Sequence, residues 1–336
     1  MLAICGNAYS QTLSATVYDD VTKKPIAEAN IYLDGTSIHT TTNSRGQFTL
    51  NVEKQINTSL IISHIAYDLE SIAEPFKKLP AKIYLKEKTN VLSEAVVFST
   101  FTRKQLLKAF NEQFLGLDKA GKACKILNEE DVVLKYDYES NTLTASAKSP
   151  IIVENNYLGY KVFFNLITLY ITYHKKTLDN EWIKQTAYYG TSSFIDQKPD
   201  DKRSLKRRKE VYEVSAVSFF KDLTTNMLTE SKWRLFNRSY QVDPKHYFII
   251  KDTLSLKLLQ IDPESNINKF VPGFDVAGKV SVLYNKNLQS EIIFLMDSYY
   301  IDEYGNISDI DKLFYVGFLG NVRLGNMLPL NYEPEE

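Results

Sequence analysis

The chain has 336 residues, of which 44% are hydrophobic and 24% charged, an ordinary globular composition that excludes a disordered or fibrous protein. Lys and Arg number 40 against 41 Asp and Glu, so the formal net charge is −1 and nothing general attracts nucleic acid or an anionic membrane surface. The length suits two domains, and 22 Tyr and 18 Phe against only 13 Gly suit a β-rich protein. Composition leaves open whether those rings fill a core or line a ligand groove.

Residues 1–10 read as the tail of a secretory signal whose start lies upstream of Met1. Ala8 and Ser10 place small residues at −3 and −1 of a cut before Gln11. The alternative is an ordinary cytoplasmic N-terminus. Leu2-Ala3-Ile4-Cys5 has the outline of a lipobox, but Ile4 is too large for the position before a lipidated Cys. Loss of the signal leaves Cys124 alone, so no intrachain disulfide is expected. No apolar run approaches the ~18 residues of a membrane-spanning helix. The expected location is the periplasm or the outer-membrane surface.

From Leu13 the pattern turns to short alternating strands. They are expected at Leu13–Tyr18, Asn30–Leu33, His39–Thr42, Gln47–Val52, Leu60–Ser63, Tyr67–Ile72 and Lys82–Leu85. Asp34-Gly35 and Asn43-Ser44-Arg45-Gly46 mark turns, with Gly46 where a positive φ is expected. This spacing predicts an all-β sandwich over residues 11–98. Lys24-Pro25-Ile26-Ala27, Asp34-Gly35-Thr36, Thr42-Asn43-Ser44-Arg45-Gly46-Gln47-Phe48 and Ser63-His64-Ile65-Ala66-Tyr67 resemble the carboxypeptidase regulatory-like domain of Bacteroidetes envelope proteins. The resemblance implies a prealbumin-like, transthyretin-like sandwich without catalytic groups. Ser14, Glu28 and Ala66 depart from that pattern where Gly is usual. Val91-Leu92-Ser93-Glu94-Ala95-Val96-Val97 resembles the lead into the plug of TonB-dependent receptors, but the rest of the chain is too short for a plug and barrel.

Residues 99–336 are expected to form a larger antiparallel, β-rich α+β domain, which makes the whole mainly β with some α. Thr102 to Gln105 is a capping-box pattern opening a helix that ends near Gly116. Val132–Tyr138, Leu143–Ala147, Ile151–Glu154, Tyr160–His174 and Trp182–Phe194 read as an antiparallel meander. One helix is expected next, with a basic start from Lys202 to Lys209 and Tyr212, Ala216, Phe219, Phe220, Leu223 and Met227 on one face. Strands resume at Tyr247–Lys251, Leu254–Ile261, Val276–Tyr284, Glu291–Tyr300 and Leu313–Leu319. Segments such as Leu158-Gly159-Tyr160 and Leu328-Pro329-Leu330-Asn331-Tyr332 resemble a domain of unknown function that follows this sandwich in many Bacteroidetes proteins.

No reaction is legible. None of the four His has a Glu three residues on, so a metallocarboxypeptidase zinc set is missing. There is no G-x-S-x-G elbow and no phosphate-cradling Gly loop. Asp302 to Asp311 gathers oxygens around Gly305, but Tyr304 stands where an EF-hand loop needs a ligand, so a plain hairpin is expected. Asp262, Glu264, Asn266 and Asn268 make no better calcium case. Neither cofactor nor metal is expected.

The candidate ligand contacts are Trp182, Tyr188 and Tyr189 on one strand, with Arg207 and Arg208 in the basic run. Alternation would place Trp182 and Tyr188 on one face, both buried or both exposed, with burial favoured. The expected function is a secreted, non-enzymatic envelope protein that binds a glycan or an envelope protein partner. The alternatives are an envelope hydrolase using Asp/Glu and an accessory part of a TonB-dependent uptake assembly. Oligomeric state is not readable.

Overall fold

The computed structural model describes residues 11–88, 101–228, 232–237, 239–253 and 255–335. The signal reading of residues 1–10 and the Val91–Val97 segment lie outside the described residues. The protein is mostly β, with several antiparallel sheets and few helices. Among the described residues no helix is long and apolar enough to cross a membrane.

The N-terminal strands fall where the alternation places them. They are β1 (Gln11–Asp19), β2 (Asn30–Leu33), β3 (His39–Thr41), β4 (Gln47–Val52), β5 (Leu60–Ser63), β6 (Glu70–Ile72) and β7 (Lys82–Leu85). Two sheets, β4-β1-β7 and β3-β2-β5-β6, face each other as a sandwich. In β4 the sequence alternates strictly, and Phe48, Leu50 and Val52 point inward. Gly46 adopts φ +72°, and a Cβ there would stand 2.5 Å from the Val17 carbonyl, so both its conformation and its packing require glycine.

The first helix, α1 (Arg103–Phe114), opens with the expected capping box: Thr102 accepts from the Gln105 N–H, and the Gln105 side chain accepts from the Thr102 N–H at 2.8 Å. A short helix, α2 (Lys119–Lys122), leads into β8 (Cys124–Ile126), β9 (Val132–Asp137), β10 (Thr142–Ala147), β11 (Ile151–Asn155), β12 (Tyr160–Tyr173) and β13 (Ile183–Asp196). This sheet is not the plain meander expected from the sequence. Its order is β8-β11-β12-β10-β9, with β13 also on β12. The cause is the 14-residue length of β12, which seats β11 along Tyr160–Phe164 and β10 along Leu169–Thr172.

The single helix expected after residue 200 is two: α3 (Lys202–Glu213) and α4 (Ala216–Thr224). Ser215 interrupts them because its hydroxyl caps the second helix, accepting from the Ser218 N–H at 3.1 Å. Met227 lies beyond α4 and is exposed, so it leaves the expected apolar face. The remaining strands are β14 (Trp233–Asn237), β15 (Tyr240–Gln241), β16 (Phe248–Asp252), β17 (Lys257–Ile261), β18 (Gly278–Tyr284), β19 (Leu288–Phe294), β20 (Ser298–Ile301) and β21 (Leu313–Gly317). They form the sheets β15-β14-β18-β19-β21 and β16-β17-β20. The run expected as one strand over Glu291–Tyr300 is thus split between two sheets.

Buried apolar side chains gather in three clusters. One fills the sandwich, one lies between α1 and the β12 sheet, and one lies between α4 and the two last sheets. The sandwich is joined to the rest at several points. Its Asp34–Thr36 loop runs beside the end of β13: Gly35 N–H donates to Ser192 O at 2.7 Å, Phe194 N–H to Thr36 O at 2.9 Å, and Ser192 N–H to Asp34 Oδ1 at 2.7 Å. The hairpin Asp302–Asn306 inserts Tyr304 into the sandwich core. Gly305 at its tip, φ +104°, lies where a Cβ would come within 2.3 Å of the Val217 carbonyl of α4. A C-terminal strap then crosses all three clusters, burying Leu319 in the third, Leu324 in the second and Leu330 against the first.

Candidate functional site

Where the strap, α3, the start of β12 and the Ser37 loop meet, they leave a cleft of about 480 Å³. Its floor is built around Arg208. This side chain is 2% exposed and makes a bidentate pair with Asp196, both bonds at 2.7 Å. Its Nε donates to the Leu158 carbonyl at 2.7 Å, and its guanidinium lies 4.0 Å from the centre of the Tyr160 ring. A buried cation with that many partners holds α3 onto the turn before β12 and has little donor capacity left for a ligand.

The strap supplies the opposite wall. Asn331 donates to Ser37 Oγ at 2.9 Å and accepts from the Ser37 N–H at 3.0 Å, which fixes the strap to the sandwich. Tyr332 packs edge-on to Tyr212 of α3. Glu333 is clasped by Lys54 at 2.7 Å and Lys221 at 3.4 Å. Burial pushes its carboxyl up, but the two lysines outweigh burial and hold it below the ordinary carboxylate value. Lys206 and Lys209 of α3 also line the cleft and are exposed.

Sequence reasoning brought Arg208 to this cleft but in a different part. Arg207 points away to Tyr157, donating to its carbonyl at 3.2 Å and stacking on its ring. Trp182 and Tyr188 do not share a fate, contrary to the alternation argument. Trp182 sits in the 3₁₀ turn that precedes β13, outside the strand's periodicity, 40% exposed with Lys175 Nζ 3.6 Å from its ring centre. Tyr188 packs edge-on to Phe114 and Phe164. Tyr189 is 59% exposed on the other face. These three aromatic side chains form no common platform with the arginines. The cleft residues Ser37, Tyr160 and Tyr332 carry no local sign of their meeting, because they come from distant parts of the chain.

The other chemistry-bearing groups have structural partners. Asp302 Oδ1 accepts the backbone N–H groups of Tyr304, Gly305 and Asn306, and its Oδ2 accepts from Asn57 N–H at 2.8 Å. Its oxygens therefore hold a hairpin to the sandwich rather than a cation. Burial raises its pKa, and burial likewise pushes Asp34 up to about 6 against the lowering effect of the Ser192 N–H. Cys124 donates to the Ala120 carbonyl at 3.3 Å, and burial pushes its thiol up to about 12, the opposite of what a nucleophile needs. Among the described residues no group of three or more His, Cys, Asp or Glu side chains is placed to hold a metal ion.

Residues 13–97 match the CarboxypepD_reg-like domain family, a stretch that runs from Leu13 of β1 past the end of β7. No curated protein matches the chain.

Proposed function

We propose that this is an exported, envelope-associated binding protein without catalysis of its own, and that the cleft between strap and α3 holds a glycan. The observation that carries the reading is the cleft's construction. It is bounded by the strap, α3, the start of β12 and the Ser37 loop, and lined by the half-buried Tyr332 and by polar groups from Ser37, Lys206, Lys209 and Asn331. Pockets that bind small ligands pair an apolar or aromatic surface with a few fixed polar groups in this way.

The carboxylates speak against a hydrolase at this site. Glycosidic acid catalysis needs one carboxyl held protonated near neutral pH. Asp196 is instead committed to Arg208, and Glu333 is held ionised by its two lysines. The carboxyls that burial does raise, Asp34 and Asp302, serve contacts between the sandwich and the rest of the chain. The test is binding of the full chain to an array of neutral and acidic oligosaccharides, repeated with Tyr332→Ala. Binding that the substitution removes supports the reading. An array blank at high protein concentration, or binding indifferent to Tyr332, overturns it.

A further inference from the structure

The cleft's acceptors are largely spent, whereas its donors are not. Asp196 faces Arg208, and Glu333 faces Lys54 and Lys221. Tyr160 is only 3% exposed and lines the cleft, and among the described residues its hydroxyl has no hydrogen-bond partner. A cleft hydroxyl without a protein partner is free to donate to a ligand oxygen. Among the described residues Lys206 Nζ has only Glu210 at 3.9 Å, with both side chains well exposed, and Lys209 Nζ reaches only the backbone carbonyl of Glu335 at 3.3 Å. Exposed pairs of that kind are worth little and yield readily to a better partner. Glu335 stands exposed at the mouth, where its charge opposes an entering anion.

We propose that the ligand is an acidic sugar, a glycan unit bearing a carboxylate, received by the Tyr160 hydroxyl and the ammonium groups of Lys206 and Lys209. This rests on the reading of the cleft as a glycan site and narrows it to a chemical class. A carboxylate offers concentrated acceptor capacity to three unspent donors, and the sugar ring offers faces and hydroxyls to Tyr332 and Asn331.

The test is titration calorimetry of the full chain with galacturonate, glucuronate and mannuronate oligosaccharides and with their methyl esters, which keep the sugar and remove the charge. One acid should bind roughly tenfold tighter than its ester, as expected for a charge-assisted hydrogen bond, and the margin should shrink as salt rises. Lys206→Gln with Lys209→Gln should erase the margin. Tyr160→Phe, which keeps the ring on Arg208, should weaken the acid about fivefold or more. Glu335→Gln should act in the opposite sense and tighten the acid about twofold.

Equal binding of acid and ester would overturn the acidic class while leaving the glycan reading standing. Acid binding that ignores Tyr160 and both lysines would place the site elsewhere and overturn it too. An acidic peptide of equal charge that binds as tightly would remove the sugar from the claim. If neither acids nor esters bind and the array is also blank, the glycan reading itself falls and takes this inference with it.

Discussion

The sandwich and the region after residue 101 use the same β-strand chemistry but close their cores differently. In the sandwich β1, β4 and β7 alternate, β2 and β5 are short and buried on consecutive residues, and the chain turns at Asp34-Gly35 and Asn43–Gly46. In the later region one 14-residue strand organises a sheet of non-sequential neighbours, and the strap returns from the end of the chain to fill gaps in every cluster. The difference teaches that a legible fold need not be an independent one. The sandwich is readable strand by strand, yet Tyr304 and Leu330 help to complete its core.

The two tryptophans give the largest and smallest effects by which to probe this contrast. Trp233 on β14 is 1% exposed and packs edge-on to Phe219 and Tyr284. Trp233→Ala should cost about 3–5 kcal/mol in a chemical-denaturation experiment, by loss of burial and creation of a cavity. Next in size is Arg208→Ala, which strands Asp196 and removes a donor from the carbonyls of Leu158, Gly159 and Lys198. It should cost about 2–4 kcal/mol, and Arg208→Lys should recover only part because an ammonium cannot make the bidentate pair.

Asp34 offers a smaller effect with a defined pH window. Its folded pKa, pushed up to about 6 by burial, exceeds the unfolded value of 3.8, so the folded state binds the extra proton between those values. Its contribution therefore weakens the fold as pH rises from about 4 to about 6, and the penalty is complete above that. Asp34→Asn keeps an acceptor for the Ser192 N–H and has no charge to bury. The variant should be more stable than wild type at pH 7 by up to about 2 kcal/mol, and the two should converge near pH 4. Thermal melts across that range read the difference, and a constant gap would show that ionisation is not its source. Trp182→Ala closes the series: it removes an exposed ring over Lys175 and should change stability by less than about 1 kcal/mol.

Local signals account for what the sequence makes legible. Alternation and turn residues locate β1–β7, and the Thr102–Gln105 box marks the start of α1. Ser215 shows the limit, since a helical face continues past it while its hydroxyl ends one helix and begins another. Trp182 shows a second limit. Period-two reasoning holds only inside a strand, and this residue lies one position before it. The core tryptophan is Trp233, on β14, a strand that no alternating run marks in the sequence. The cleft was beyond reach because Ser37 and Asn331 are 294 residues apart, and no periodicity encodes such a pairing.

The central claim is that the Asp302–Asn306 hairpin and the strap complete the sandwich, so that sandwich and cleft stand or fall together. Hydrogen exchange on the whole chain carrying Tyr304→Ala tests it most directly. Exchange should become faster in β2 and β5, whose Ile31, Leu33, Leu60 and Ile62 share a core with Tyr304. Unchanged protection in β2 and β5, with faster exchange confined to the Asp302–Asn306 hairpin, would contradict it.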